Sequence, residues 1–280
     1  RTGAPKGSTS SGLTQLPDTE TAILDIAGTA TFYADDVANQ TADLTTQDNV
    51  FAGAVEFLDG DGSGTWGTVR VKRAGDYMLG NTSTDGDYVL LVSGVIANEA
   101  NATIDIGGSA EFGGSSVTLG NQTGDNVTFG TLSFTSTGAV SIEEDDAMEI
   151  ANLSNGDPSA AGSATLSATG AITDGASGKL EVTGATSLTA KDGPTDYAIT
   201  LDNNVHDFGG AVSATGSNIT LTDRNALEFG AVAASGNLVT KTGSEGTGGG
   251  LTQSGVITVT GTSTFTADTT ADQDAVLDNA

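Results

Sequence analysis

The chain repeats one pattern of strand-forming residues four times along its 280 residues. In each copy, two branched aliphatic residues alternate with polar ones, and a glycine and then a larger apolar residue follow. The copies begin at Leu24, Ile104, Leu180 and Ile257, so the repeat period is about 77 residues. A period this long, written in residues that favour strands, is typical of stacked repeat architectures.

A shorter period lies beneath the long one. Steps of about 19 residues separate Leu180, Ile199, Ile219, Leu238 and Ile257. This spacing predicts that four coils of about 19 residues make one repeat, and that these five side chains stack in register and point inwards. Around each of these positions, apolar residues alternate with polar ones. This period of two predicts a strand with one buried face and one face exposed to solvent.

These periods predict an all-β parallel β-helix, or β-solenoid, with coils of about 19–20 residues grouped in repeats of about 77. A tandem array of β-sandwiches is the alternative, and it is disfavoured because a sandwich is not expected to show so short a step inside a domain. Insertions at one phase of the repeat are expected to project from one side, and Phe129, Phe208 and Phe229 are expected to be buried. The predicted organisation is a flexible lead-in at 1–12 and a single continuous solenoid at 13–280, with repeats at about 13–95, 96–171, 172–250 and a truncated 251–280.

The charge balance limits the partners. There are 36 acidic and 9 basic residues, which gives a net charge of −27. Nucleic acid is therefore not expected as a partner, because phosphate binding needs Lys and Arg, and the one basic cluster, Arg70, Lys72 and Arg73, is interpreted as a solvated strand face. The absence of cysteine excludes disulfides and thiolate chemistry, and the longest apolar run, Tyr88–Val92, predicts no membrane-spanning segment.

The sharpest local motif alternates oxygen-bearing side chains with glycine over residues 59–64. Asp59, Asp61 and Ser63 resemble the opening ligands of an EF-hand-type calcium loop. The twelfth position of such a loop is Arg70 instead of a glutamate, so the motif predicts an incomplete site. Calcium is the only cofactor that the sequence indicates, with these three residues as its ligands, and a plain glycine-rich turn is the alternative.

No catalytic or cofactor-binding residue is assigned, and the protein is predicted not to be an enzyme. The run Glu143–Asp146 offers adjacent carboxylates, but its counterpart in the next repeat keeps only part of the charge, which favours a corner between strands. His206, the only histidine, has no nucleophile motif beside it and is predicted to lie at a surface corner. A continuous threonine ladder is not predicted, because residues 180–183 and 201–203 interrupt the pattern of the Thr-rich segment 258–266.

The segment Asp207–Leu221 resembles the repeats of large bacterial exoproteins related to filamentous haemagglutinin. The resemblance extends over most of residues 100–280 and more loosely over 13–99. It implies a right-handed β-helical fibre that is displayed at, or released from, a Gram-negative cell surface and acts in adhesion, biofilm formation or contact-dependent delivery. We therefore expect a structural or adhesive segment of an extracellular repeat fibre, located outside the cell or at its surface.

Two alternatives to that function remain open. One is a subunit of a self-assembling extracellular filament or sheath, and the other, less favoured, is a carbohydrate-active β-helix enzyme with carboxylates that converge on a groove. The expected partners are further copies or a continuation of the same fibre, and cell-surface glycans or a host or neighbouring-cell surface. Because Leu277–Ala280 match Leu201–Asn204, we also expect the chain to be a piece of a longer protein.

Overall fold

The computed structural model describes residues 12–14, 23–35, 37–60, 64–243, 249–267 and 275–277. Every regular element in these ranges is a β-strand. Within them, no helix is long and apolar enough to cross a membrane. The chain divides into two compact units, which we call unit 1 (residues 1–132) and unit 2 (residues 133–280).

The described part of unit 1 contains twelve strands and the greater part of a thirteenth, which continues past residue 132. They are β1 (Gly12–Thr14), β2 (Asp25–Ile26), β3 (Ala30–Tyr33), β4 (Gln40–Leu44), β5 (Val50–Phe51), β6 (Val55–Leu58), β7 (Trp66–Arg73), β8 (Tyr77–Thr84), β9 (Tyr88–Val92), β10 (Val95–Asn98), β11 (Thr103–Gly114), β12 (Ser116–Leu119) and β13 (Asn126–Ser136).

Successive turns of unit 1 pair in parallel and in register, as expected for a solenoid. One column of paired residues runs through Leu13, Ala42, Val69, Tyr88 and Ala110. From Ala42 onwards these side chains are at most 1% exposed, so the column faces the interior. Each turn therefore covers the apolar face of the turn before it, and the backbone hydrogen bonds run between turns.

Aromatic rings fill much of the interior of unit 1. Ring centroids 5.0 to 6.5 Å apart connect eight side chains into one continuous chain of contacts. The members are Phe32, Phe51, Phe57, Trp66, Tyr77, Tyr88, Phe112 and Phe129. Most of the contacts are edge-to-face or tilted, the arrangement that the ring quadrupoles favour.

Eighteen further strands lie in the residues of unit 2 that the structure describes. They are β14 (Ala139–Glu144), β15 (Met148–Ile150), β16 (Ser159–Ala161), β17 (Ser163–Ala168), β18 (Ile172–Asp174), β19 (Leu180–Val182), β20 (Thr186–Asp192), β21 (Thr195–Asp196), β22 (Ile199–Leu201), β23 (Asp207–Phe208), β24 (Val212–Gly216), β25 (Ile219–Asp223), β26 (Leu227–Ala234), β27 (Leu238–Thr242), β28 (Leu251–Gln253), β29 (Ile257–Val259), β30 (Ser263–Ala267) and β31 (Ala275–Val276).

The strands of unit 2 form three parallel faces that the chain visits in a fixed order. Face A contains β14, β17, β20 and β24. Face B contains β15, β18, β22 and β25, and face C contains β16, β19 and β23. Strand β21 lies outside the faces and pairs antiparallel with the end of β20. The fold is therefore the predicted all-β, parallel β-solenoid.

The predicted short coil is correct for only part of unit 2. Ile199, Ile219 and Leu238 stack in register on face B. Leu180 instead pairs with Ser159 on face C, and Ile257 pairs with Val232 on a different column. The turns differ in length because the excursions at the corners differ, and the turn that ends at Ile199 is longer than the two that follow it.

One sequence repeat of unit 2 makes three and a third turns instead of four. The motif Val140-x-Ile142 lies on face A, and its counterpart Ile219-x-Leu221 lies on face B. From the start of β14 to the start of β25 the chain passes through ten strands of the three faces, which are β14 to β24 without β21. At three strands per turn, ten strands make three and a third turns. Equivalent positions in successive repeats are therefore displaced by one face. The predicted projection of the insertions from one side stays a prediction.

The predicted burial of three phenylalanines is confirmed. Phe129, Phe208 and Phe229 are 4%, 2% and 0% exposed. In unit 2 the interior otherwise consists mainly of aliphatic side chains and contains many alanines, such as Ala164 and Ala214, together with Phe134 and several buried polar residues. The inward positions alternate with outward polar ones along each strand, as the period of two predicted.

Candidate functional site

The calcium motif is described only at its first residue. The carboxylate of Asp59 accepts a hydrogen bond of 3.0 Å from the hydroxyl of Ser83. Asp61 and Ser63 lie outside the described residues, so calcium binding by Asp59, Asp61 and Ser63 stays a prediction. Within the described ranges, no group of three or more His, Asp or Glu residues is arranged to hold a metal ion.

The acidic run Glu143–Asp146 lies at the end of β14 and in the turn that follows. The strand alternation directs Glu143 outwards and Glu144 inwards, where Glu144 is only 2% exposed. The turn residues Asp145 and Asp146 are exposed. Glu143 and Glu144 therefore lie on opposite sides of the wall, whereas Glu143, Asp145 and Asp146 are all exposed to solvent.

The prediction for His206 was wrong, because its side chain is fully buried. Its Nδ1 accepts a hydrogen bond of 3.0 Å from the backbone N–H of Leu180. That bond assigns the proton to Nε2, which donates to the carboxylate of Asp174 over 2.8 Å. The ring also stacks on Phe208, with centroids 5.9 Å apart.

Asp174 is held as a carboxylate by its hydrogen bonds. Burial raises its pKa, but the hydrogen bonds from His206 and from the backbone N–H of Asn203 outweigh burial, so the pKa lies below its ordinary value. The side-chain amide of Asn203 donates in turn to the carbonyl oxygens of Gly175 and Gly178, at 2.8 Å each. The loop that follows β18 is thereby tied to the next turn.

Asp223 is the third buried ionisable group of this region. Burial raises its pKa to about 6, although the backbone N–H groups of Asn225 and Phe208 donate to its carboxylate and lower the pKa in part. The side chain is fully buried. Next to it, Arg224 forms ion pairs with Asp207 and, at 3.4 Å, with Glu181.

We call Asp174, His206 and Asp223 the polar clasp. The three residues come from three successive turns and are enclosed, so the clasp fixes the register of neighbouring turns and offers no accessible group for catalysis. The sequence suggested none of this, because the partners are distant along the chain from the histidine and only the turn lengths bring them together.

The outward side of face A carries two columns of hydroxyl groups, which we call the hydroxyl face. On successive turns the first column stacks Ser141, Thr165, Ser187 and Ser213, and the second stacks Ser167, Thr189 and Thr215 above Glu143. The columns mix serine with threonine, so they are not the threonine ladder that the sequence analysis considered.

A short hairpin stands beside the hydroxyl face. It is formed by the end of β20 and β21, and its turn contains Gly193 with a φ of +51°. The ammonium of Lys191 lies 2.6 Å from the carboxylate of Asp196, and the hydrogen bond from Lys191 lowers the pKa of Asp196. The hairpin borders a groove of about 240 Å³ whose floor includes Thr215 and Thr258.

A larger groove of about 440 Å³ lies on unit 1. Its lining includes Arg73 and two exposed apolar side chains, Met78 and Val95. The guanidinium of Arg73 donates to the carbonyl oxygens of Phe51, at 2.6 Å, and Ala74. The lining also contains Asp76, so the groove carries one cation and one carboxylate among mainly apolar side chains.

These features define a repeat protein of the parallel β-solenoid class. The family described as repeats of unknown function (DUF5649) matches residues 137–215 and 216–280, more than half of the chain, and the chain belongs to that family. The matched repeats begin just before β14 on face A and β25 on face B, which agrees with a displacement of one face per repeat. No curated protein and no solved structure matches the chain.

Proposed function

We propose that the chain is a structural and adhesive segment of a bacterial extracellular repeat fibre and that it acts without catalysis. The observation that carries the proposal is the hydroxyl face of unit 2. Its two columns of short hydroxyl side chains recur on consecutive turns, in a chain whose net charge is −27.

Such a face suits many weak contacts to a hydroxyl-rich surface. Neighbouring turns are about 4.8 Å apart, so hydroxyl groups repeat at a fixed short spacing. The hydroxyls of Thr165, Ser187 and Thr189 form no hydrogen bond to any described part of the chain, which leaves them available to a partner. Weak contacts that engage together multiply in effect, so adhesion needs no deep pocket.

The proposed partners are cell-surface glycans and the surface of a host or neighbouring cell. Neutral glycans present the donors and acceptors that hydroxyl groups match, and they are not repelled by the acidic chain. The resemblance to filamentous-haemagglutinin-like exoproteins supports the same role and an extracellular or cell-surface location. A subunit of a self-assembling filament is the second candidate, because stacked turns extend through backbone pairing.

The proposal is tested by coating beads with the 280-residue chain and measuring their retention on neutral-glycan surfaces under flow. A variant with Thr165→Ala, Ser187→Ala and Thr189→Ala removes three hydroxyls without adding charge. The matched control, Thr165→Ser, Ser187→Thr and Thr189→Ser, keeps all three. We expect retention to fall severalfold for the first variant and to persist for the second.

Three outcomes would contradict the adhesive role. Equal retention of both variants would show that the hydroxyl face is not the contact surface. Filaments visible by electron microscopy without retention of beads would favour the self-assembling subunit. Release of reducing sugar from the glycan, abolished by replacing a single carboxylate, would favour the carbohydrate-active enzyme.

A further inference from the structure

The cations of the two units differ in how they are engaged. In unit 2, Lys179 forms an ion pair of 2.7 Å with Glu181, and Lys191 and Arg224 form the ion pairs described above. Lys241 donates to the side-chain oxygen of Asn204 over 3.1 Å. In unit 1, Arg70 and Lys72 have no hydrogen bond or ion pair to any residue that the structure describes, although the chain has 36 acidic residues and only 9 basic ones.

These two cations lie on the outward side of β7. They alternate along the strand with the fully buried Val69 and Val71, so both point outwards and are exposed. Asp43 is the cross-strand neighbour of Arg70, and one oxygen of its carboxylate accepts hydrogen bonds from the backbone N–H and the hydroxyl of Thr45.

Apolar side chains lie beside the cations on the same surface. Lys72 pairs with Leu91, which is 38% exposed, and Arg70 pairs with Val89. We call Arg70, Lys72 and Leu91 the basic patch. Exposed apolar surface bordered by charge is the composition of a protein–protein interface, where the apolar part supplies affinity and the charges set the orientation.

We propose that the basic patch of unit 1 binds the acidic corner Glu143–Asp146 of unit 2 in a second copy of this chain. That corner is the densest acidic run of the sequence, and Glu143, Asp145 and Asp146 are exposed in it. The two exposed cations of the basic patch and the three exposed carboxylates of the corner are opposite in charge, so the two surfaces complement each other. The inference goes beyond the adhesive role and does not rest on it.

The proposed contact joins different surfaces of the two copies. Such a heterologous contact leaves one basic patch and one acidic corner open at the ends of any pair, so it continues to further copies unless its rotation closes a ring. The long-range repulsion between copies of net charge −27 opposes the contact at low salt. Self-association is therefore expected to be strongest at intermediate ionic strength, where the long-range repulsion is screened and close ion pairs persist.

The test is sedimentation velocity of the 280-residue chain over a range of concentration and ionic strength. The variant Arg70→Glu with Lys72→Glu leaves Arg73, which braces the carbonyl of Phe51, in place. We expect it to weaken self-association by about tenfold or more. The variant Lys179→Glu with Lys241→Glu changes the net charge equally in unit 2 and is expected to associate like the parent chain.

Charge exchange makes the test specific. A variant with Glu143→Lys, Asp145→Lys and Asp146→Lys is expected to fail to associate with itself but to form mixed complexes with the Arg70→Glu, Lys72→Glu variant. A parent chain that is monomeric at every ionic strength, or an equal loss in both charge-reversed pairs of cations, would overturn the proposal. So would binding of a polyuronate through Arg70 and Lys72 without self-association, which would assign the patch to an anionic polysaccharide.

Discussion

Units 1 and 2 have the same parallel pairing of turns but fill their interiors differently. In unit 1 a continuous chain of eight aromatic rings connects one turn to the next, centred on Phe57, Trp66 and Tyr88. In unit 2 the described rings meet only where Phe208 stacks on His206 and where Phe229 meets Phe265. There, small aliphatic side chains and the buried polar clasp occupy the interior.

The comparison shows two ways of keeping turns in register. Aromatic packing has a large apolar area and needs few polar contacts. Buried hydrogen bonds involve less apolar surface, but each joins two particular atoms, so together they select one register between turns. The clasp lies at the longest described turns of unit 2, as the pairings of Ile172 with Ile199 and of Thr186 with Val212 show. We infer that the irregular turns of unit 2 depend on the clasp for their alignment.

The largest effect is expected for Phe57→Ala in unit 1. The ring of Phe57 contacts Phe32, Trp66 and Tyr88, and the side chain is 0% exposed. Its loss should leave a cavity and cost about 3–5 kcal/mol of unfolding free energy. Hydrogen exchange should show the loss of protection in the adjoining turns first, because stability in a solenoid is mainly a matter of neighbouring turns.

The exposed Met78 provides the control for that experiment. Met78→Ala should change the unfolding free energy by less than about 0.5 kcal/mol, since the side chain is largely in solvent. If Phe57→Ala were as mild as Met78→Ala, the aromatic chain would not be the principal source of stability in unit 1.

The next effect is expected at the clasp. His206→Ala removes the acceptor of the Leu180 N–H and the donor to Asp174, which leaves two buried polar groups without their partner. We expect a cost of about 3 kcal/mol, because unsatisfied buried polar groups retain their desolvation penalty. Hydrogen exchange at Leu180 and over residues 174–182 should accelerate. Unchanged exchange there would contradict the role of the clasp in aligning turns.

The fold class could be predicted from the sequence because its evidence is local. Alternation along each strand and the long repeat together indicate stacked parallel turns, and the burial of Phe208 and Phe229 follows from the same pattern. The register between turns could not be predicted, because the loops at the corners vary in length. Only the backbone pairing in the structure shows how many residues each turn contains. The spacing of about 19 residues is correct from Ile199 to Leu238, but it does not hold for the turns before and after that stretch.

The sites were harder to predict for the same reason. His206 resembles a corner residue until the long turn between Ile172 and Ile199 brings Asp174 to it. The hydroxyl face consists of residues on separate turns of unequal length. Its members therefore do not recur at a constant spacing that could be recognised in the sequence. In contrast, the sequence alone reveals the basic cluster at Arg70 and Lys72, but only the structure shows that these two side chains form no ion pair with the described part of the chain.

A smaller effect is expected from the pH dependence of unit 2. The folded pKa of Asp223, about 6, lies above its unfolded value of 3.8, so between these values the folded chain binds more protons. This contribution to stability is complete below about pH 4 and is lost as the pH rises through 6. Between pH 5 and pH 7 the expected loss is about 1.5 kcal/mol.

The variant Asp223→Asn isolates this group from the general effect of acidic charge. Unfolding by denaturant at pH 5 and pH 7 should show a smaller pH difference for the variant than for the parent chain. Asp174 has the opposite sign, since its lowered pKa contributes stability that is lost as the pH falls below about 4. Equal pH differences in parent and variant would show that Asp223 does not titrate in this range.

The smallest effect concerns the one polar contact between rings that the structure describes in the aromatic interior of unit 1. The hydroxyls of Tyr77 and Tyr88 are 3.2 Å apart and buried, and burial raises both pKa values, so both groups are neutral. Tyr77→Phe leaves the hydroxyl of Tyr88 without this partner and should cost about 1 kcal/mol. Adding Tyr88→Phe removes the orphaned hydroxyl, so the double variant should be no less stable than either single one. Strict additivity of the two costs in denaturant unfolding would show that the hydroxyl pair contributes nothing of its own to the stability of unit 1.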